Sequence, residues 1–359
     1  MWIKKHIGNC LVPDDLSWKT IEHFPDCDFR DFFEIARSMT EMLQSLDDRQ
    51  LFTRLLFQRE CQHFSPRLCG ARARDRAYVN APFVPFHIFD SVQSLHYADA
   101  LEFAWRSRRQ PCSKRFLKDL HLRLLPDNSE AGKIRRAAAW IGERYSTSNT
   151  ASIILTPPEY IDNCLTKLGA FSANEFPSHR LAMCAMLHYQ FTAIHPFLDA
   201  NGRTVRILTP LLLRNYGVVD IPWLFVSESL LLRYWDYHAS VISVDRYGEI
   251  AQWVRFFVQI LSDSARRAER VVVLAIKLRD ALIAEFSPSI QGPPIERFVN
   301  ETLLCTTLQV SRAAALLGVS RDRAAAVLED SSGFLGLRRI VDGPDPVYQW
   351  HDIYDVLTV

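Results

Sequence analysis

The stretch His195–Arg206, HPFLDANGRTVR, constrains this chain more than any other. Before it, Pro177 to Ile194 carries Leu181, Ala185, Leu187, His188, Phe191 and Ile194 at helical spacing, with His188 and Tyr189 read as packing residues. After it, Val205, Ile207, Leu208, Leu211 and Leu212 mark a second apolar helix running to about Tyr216, with Gly217 placed to close it. The pattern predicts a loop feeding a helix N-terminus, where unpaired N–H groups and a partial positive charge favour an anion. The amides of Ala200, Asn201 and Gly202 can form a concave nest, and Gly202 lets a phosphate approach the backbone. Arg203 and Arg206 stand three apart and share one face of the helix start.

Two residues turn this anion site into a candidate catalyst. His195 can accept a proton near neutral pH, and Asp199 is a hard oxygen ligand suited to a Mg²⁺ that bridges substrate phosphates. Taken singly, a His before Pro is a turn residue and two Arg on a helix face are solvated. The joint spacing is what points to phosphate chemistry.

The rest of the chain sets the frame. At 359 residues it can hold two or three compact units. Apolar residues make up 48% and 42 basic residues face 41 acidic ones, so no global charge draws the protein to nucleic acid or membrane. The N-terminus lacks a signal-peptide core and no stretch is apolar enough to span a membrane, so a cytoplasmic location is expected. Eight scattered Cys give neither a disulfide framework nor a metal cluster.

In chain order, helical periodicity covers Asp28 to Asp48, Leu51 to Gln62 and Asp90 to Trp105. A basic cluster at Arg106–Arg109 reads as a solvated linker, and TASIILTPPE, Thr150 to Glu159, carries a short strand or hairpin signal closed by prolines. Ser262 to Glu285 suggests a connecting helix, and SPSIQGPP, Ser287 to Pro294, is the clearest break. Beyond it two Ala/Leu helices flank Gly318, with Ser320 as N-cap. A hairpin of Leu337–Val341 and Val347–Trp350 follows, completing a winged helix-turn-helix outline. Arg321 and Arg323 occupy the groove-reading position, but Asp322, Glu329, Asp330, Asp342 and Asp345 nearly cancel them, which disfavours DNA as a partner.

The twelve-residue stretch resembles the signature of the Fic family, HxFx(D/E)GNGRxxR, and satisfies eleven of its twelve positions, the exception being Ala200 where Gly is usual. Related Doc proteins carry Ala there. The resemblance extends over about Phe116 to Leu261 through LKDLHLRLL (Leu117–Leu125), Gly132, Arg135, Trp140, Ile141 and Gly142, PWLFVS (Pro222–Ser227) and WVRFF (Trp253–Phe257). It implies a mainly α fold: a Fic-type helical core with a small β-hairpin flap, followed here by the C-terminal winged helix-turn-helix domain. The division expected is 1–110, an N-terminal helical region; 111–265, the catalytic core; 266–294, connecting helix and linker; and 295–359, the winged helix.

The resemblance also implies an activity, transfer of AMP from ATP to a Ser, Thr or Tyr hydroxyl of a target protein. His195 would be the base, Asp199 the Mg²⁺ ligand, and Ala200, Asn201, Gly202, Arg203, Arg206 and Tyr237 the ATP contacts. Ile153, Ile154, Leu155 and Thr156 would form the flap to which a target segment adds as a strand. Ser65, Cys69 and Gly70 fall on the family's inhibitory segment, with Cys69 where a glutamate pairs with the residue matching Arg206. A thiol cannot make that bidentate pair, so weakened self-inhibition is expected. Partners implied are ATP and a hydroxyl-bearing protein; a second copy of the chain stays open. The alternatives are a Fic-fold phospho- or phosphocholine-transferase, and a DNA-binding regulator with a vestigial catalytic domain.

Overall fold

The computed structural model describes residues 5–7, 10–13, 15–63, 92–141, 153–290, 294–305 and 307–353. Among them two compact units are found: one formed by 5–41, 63 and 92–266, the other by 42–62 and 267–353.

The first unit is helical around one central rod. It opens with a two-stranded antiparallel ribbon, β1 (Lys5–Ile7) and β2 (Cys10–Val12), then a short α1 (Trp18–Ile21) and α2 (Arg30–Ser45), which runs to the unit's edge. After α3 (Arg49–His63), which lies almost wholly in the other unit, come α4 (Val92–Arg106) and α5 (Lys114–Leu124). Ser113 caps α5 by accepting from the Phe116 amide at 3.4 Å. A second antiparallel pair, β3 (Trp140–Ile141) and β4 (Ile153–Ile154), precedes α6 (Pro158–Ser172), whose first residue is a proline with no N–H to lose.

The rod is α7 (Arg180–Ile194), in which every residue from Leu181 to Ile194 is buried. A helix apolar all round is stable only when surrounded, and α7 is enclosed by its neighbours. α8 (Asn201–Asn215) follows, then α9 (Ser227–Leu232) and α10 (Tyr234–Tyr247). Trp253 packs against this core and donates its indole N–H to the Ala185 carbonyl at 2.8 Å, which satisfies a buried donor.

Trp253 opens α11 (Ile250–Phe286), a single 37-residue helix. The sequence suggested a connecting helix from Ser262 to Glu285; no Gly or Pro separates it from the residues before, so one helix runs unbroken from Ile250.

The second unit contains α12 (Pro294–Leu304), β5 (Thr307–Gln309), α13 (Val310–Leu317), α14 (Arg321–Asp330), β6 (Leu337–Val341) and β7 (Val347–Trp350). Gly318 ends α13 at φ 68°, and Ser320 accepts from the Arg323 amide at 3.3 Å. The strands form one antiparallel sheet ordered β5-β7-β6. The hairpin has the bounds expected from sequence, whereas β5 gave no signal of its own. No helix among the described residues is long and apolar enough to cross a membrane.

Candidate active site

The loop between α7 and α8 turns on two residues with left-handed backbone, His195 (φ 49°, ψ 62°) and Ala200 (φ 57°, ψ 12°). Each conformation costs a non-glycine residue roughly 1–2 kcal/mol, so the surroundings must hold it. His195 caps α7, its amide bonded to the Phe191 carbonyl at 2.9 Å, and Pro196 bars the helix from continuing. Ala200 begins α8, its carbonyl accepting from the amide and hydroxyl of Thr204 at 2.8 and 2.9 Å.

Asn201 braces the loop from within. Its buried amide accepts from the Phe197 N–H at 3.0 Å and donates to the Phe197 carbonyl at 2.8 Å. Phe197 is fully buried and stacks on the His121 ring at 3.9 Å between centroids. His121 in turn accepts from the Gly132 amide at Nδ1 (2.9 Å), so its proton sits on Nε2 and is donated to the Asp199 carbonyl at 3.1 Å. Burial lowers the pKa of His121, which keeps that neutral form in place.

Arg135 closes the arrangement from the other side. Its guanidinium, 2% exposed, donates to the carbonyls of His195 (2.7 Å), Ala137 (2.7 Å), Thr156 (2.5 Å) and Ile194 (3.3 Å). One cation therefore joins the loop between α7 and α8 to Thr156, two residues past β4.

The functional atoms are poised by these braces. His195 Nδ1 faces the Thr192 carbonyl at 3.3 Å, a contact that calls for N–H there and leaves the Nε2 lone pair as the proton acceptor. Burial first, and the Arg135 charge after it, push the His195 pKa down to about 4, against the raising effects of the Thr192 carbonyl and of Asp199. The Asp199 carboxylate is exposed, accepting from the Ala200 amide at 2.5 Å and from Arg203 Nη2 at 3.1 Å. Arg203 Nη1 is buried with no hydrogen-bond partner among the described residues, an orphan donor at the helix start.

Beside His195 lies a cavity of about 190 Å³. Gly202, Arg206, His188, Thr192, Tyr237 and His238 border it, together with apolar side chains such as Val205, Leu230 and Leu231. A Cβ at Gly202 would stand 3.4 Å from Arg206 Nη1, an ordinary contact distance.

Residues 111–213 match the family model described as Fic/DOC family. This stretch is a Fic/DOC domain. A protein named protein adenylyltransferase Fic from Culex quinquefasciatus is 31% identical over 144 residues, covering 39% of this chain and 26% of that protein. One named protein adenylyltransferase fic-1 from Caenorhabditis briggsae is 28% identical over 155 residues, covering 42% and 27%. The chain thus spans about a quarter of the length of these curated relatives. A Fic family protein from Desulfovibrio desulfuricans superposes with a TM-score of 0.54 at 20% identity, covering 94% of this chain and 97% of that one, which shows the shared fold.

Within and beside the Fic/DOC domain, the residues singled out from sequence separate into groups. His195, Asn201, Gly202, Arg206 and Tyr237 share the cavity wall, while Asp199, Ala200 and Arg203 lie on the loop and helix start next to it. Ile153, Ile154, Leu155 and Thr156 lie at and just after β4, where Thr156 donates its hydroxyl to the Ala193 carbonyl at 3.2 Å. Ser65, Cys69 and Gly70 lie outside the described residues.

Three residues with functional contacts carry no role in the sequence reading. His188, read as packing, hydrogen-bonds Thr209 and Tyr237 and borders the cavity. It stands seven residues before His195, two helical turns on the same face, and that spacing was the available signal. His121 and Arg135 reach the loop from 60 to 78 residues away through main-chain carbonyls; both fall in stretches that carry the family resemblance, which marks the positions but not these contacts.

Proposed function

We propose that the protein is an adenylyltransferase that moves AMP from ATP to a protein hydroxyl. The observation that carries this reading is a histidine with its Nε2 lone pair available, on the wall of a cavity shared with Arg206 and a helix N-terminus. Such a site can accept a hydroxyl proton and hold a polyphosphate at once. The names of the curated relatives support the same activity.

The acceptor oxygen forms a bond to the α-phosphorus as the bridging α–β bond breaks. His195 Nε2 takes the hydroxyl proton and pyrophosphate leaves. Arg206, the orphan Nη1 of Arg203 and the amides at the start of α8 offset charge on the departing phosphates. Asp199 suits a Mg²⁺ ion: its carboxylate is an exposed hard oxygen donor beside the cavity, and phosphate and water would supply the other ligands. That ion would neutralise phosphate charge and orient the chain of phosphates. An extended target segment adding to β4 would bring its hydroxyl to His195, and the Arg135 link from Thr156 to His195 fixes that distance.

Incubation of a lysate with α-labelled and γ-labelled ATP tests the reading. Only the α label should stay on protein, and His195→Ala should remove it. Retention of the γ label indicates phosphate transfer and overturns the assignment.

In the same reading the C-terminal unit is a winged helix used for protein contact, a reading supported by α13, α14 and the β6–β7 hairpin. Three of its basic side chains are engaged internally: Arg321 with Asp345 at 3.0 Å, Arg339 with Asp342 at 2.9 Å and Arg312 with Glu301 at 3.0 Å. A salt-sensitive gel shift with duplex DNA would count against this role.

A further inference from the structure

The phenol of Tyr237 is held in a hydrogen-bond chain whose polarity can be worked out by counting hydrogens. Its oxygen lies 3.1 Å from His188 Nε2 and 3.3 Å from Thr192 Oγ1, and all three residues border the cavity. Thr192 spends its own hydrogen on the His188 carbonyl at 2.9 Å. His188 Nδ1 lies 2.9 Å from Thr209 Oγ1, and burial pushes its pKa down to about 3, so the ring is neutral and carries one hydrogen.

Thr209 gives its own hydrogen to the Val205 carbonyl at 3.0 Å, so its oxygen faces Nδ1 as an acceptor. The ring hydrogen is therefore on Nδ1 and is donated to Thr209, which leaves Nε2 to accept the phenol hydrogen. The phenol hydrogen is thus consumed inside the protein. Towards the cavity Tyr237 offers lone pairs alone.

We infer that Tyr237 is a specificity-determining contact, an obligate acceptor that selects nucleotides presenting a hydrogen-bond donor at that point of the wall. This rests on the nucleotide reading above. With phosphates gripped at Arg206, the group reaching Tyr237 belongs to the nucleoside, whose donors are the sugar hydroxyls and the exocyclic amine of the base. A ligand with only an acceptor there would face the phenol lone pairs in a largely apolar enclosure, where an unmatched polar pair is penalised. His188 acts as a positioning residue, since it takes the phenol hydrogen out of the cavity, and Thr192 lies against the same oxygen.

The test is equilibrium binding by calorimetry to the full chain carrying His195→Ala, which prevents turnover. The probes are ATP, 2′-deoxy-ATP, 3′-deoxy-ATP and purine riboside triphosphate, each of the last three lacking one donor. One of them should bind roughly tenfold or more weakly than ATP, and its identity tells the sugar from the base as the source of the donor. With Tyr237→Phe added, that analogue and ATP should bind within about twofold of each other. A variant with His188→Leu and Thr192→Val keeps the phenol but frees its hydrogen, and should lose the discrimination too. A merely structural role would weaken all four probes alike. Equal binding of all four probes, or discrimination that survives Tyr237→Phe, overturns the inference. If no nucleotide binds, the nucleotide reading itself fails and takes this inference with it.

Discussion

Arg135→Leu is the most informative single perturbation, because Arg135 does not border the cavity yet ties His195 to Thr156, two residues past β4. The change removes donors to the carbonyls of His195, Ala137 and Thr156, all within 2.7 Å, and a longer bond to Ile194. Hydrogen bonds from a charged donor contribute about 1.5–3 kcal/mol each. Three give roughly 4.5–9 kcal/mol, from which the cost of burying the guanidinium must be subtracted. That cost is real here, since burial lowers the Arg135 pKa. A net loss of about 3–5 kcal/mol is expected, the range found when one member of a buried charged network is deleted. At about 2–4 °C per kcal/mol, the melting temperature should drop by roughly 6–20 °C. Arg135→Lys should fall between, as an ammonium cannot span the same fork of carbonyls. Thermal denaturation followed by circular dichroism measures the stability, and labelling from α-labelled ATP the activity, which should fall in both variants because the left-handed turn at His195 loses its tie. If Arg135→Leu melts within about 2 °C of the parent and labels normally, the claim that this guanidinium holds the loop is wrong.

Three further outcomes are expected. His195 and His188, with pKa values pushed down to about 4 and about 3, bind fewer protons folded than unfolded. Their stabilising effect is present above an unfolded pKa of about 6.5 and is lost as pH falls, at up to roughly 1.4 kcal/mol per pH unit for each. Urea midpoints should therefore decline between pH 7 and 5, and a flat profile would refute the assignment of both rings as neutral. Asp199→Asn should cut labelling by a hundredfold or more and raise the Mg²⁺ requirement while leaving stability within about 1 kcal/mol, because its ion pair with Arg203 is exposed at the carboxylate; normal labelling at low Mg²⁺ would remove Asp199 as the ligand. From its resemblance to the family's inhibitory segment, Cys69→Glu is expected to lower self-labelling several-fold, and unchanged labelling would show that this segment does not regulate the site.

Much of this architecture was legible because local chemistry and tertiary context agreed. Apolar periodicity marked α7 and α8, Pro196 and the small residues after it forced a turn between them, and Gly217, Gly318 and Ser320 sit at the helix ends their chemistry favours. Where the reading stopped short, a long-range contact was responsible. β5 is three residues long and exists because β7 pairs with it. β3 likewise forms only against β4. His188 looked like packing because an apolar helix surrounds it, and only Thr209 and Tyr237 reveal its polar role.

The sequence by itself determined the chemical equipment: a histidine, a carboxylate and two guanidinium groups at spacings that a loop and one helical turn bring to the same end. Those relations are local, fixed by chain geometry within twelve residues. Tertiary structure decided what state each group is in. The availability of Nε2 on His195, the proton position on His121, the acceptor face of Tyr237 and the hold of Arg135 on the loop all depend on partners up to 78 residues distant. Burial and hydrogen-bond polarity are properties of packing, and no spacing rule along a chain encodes them.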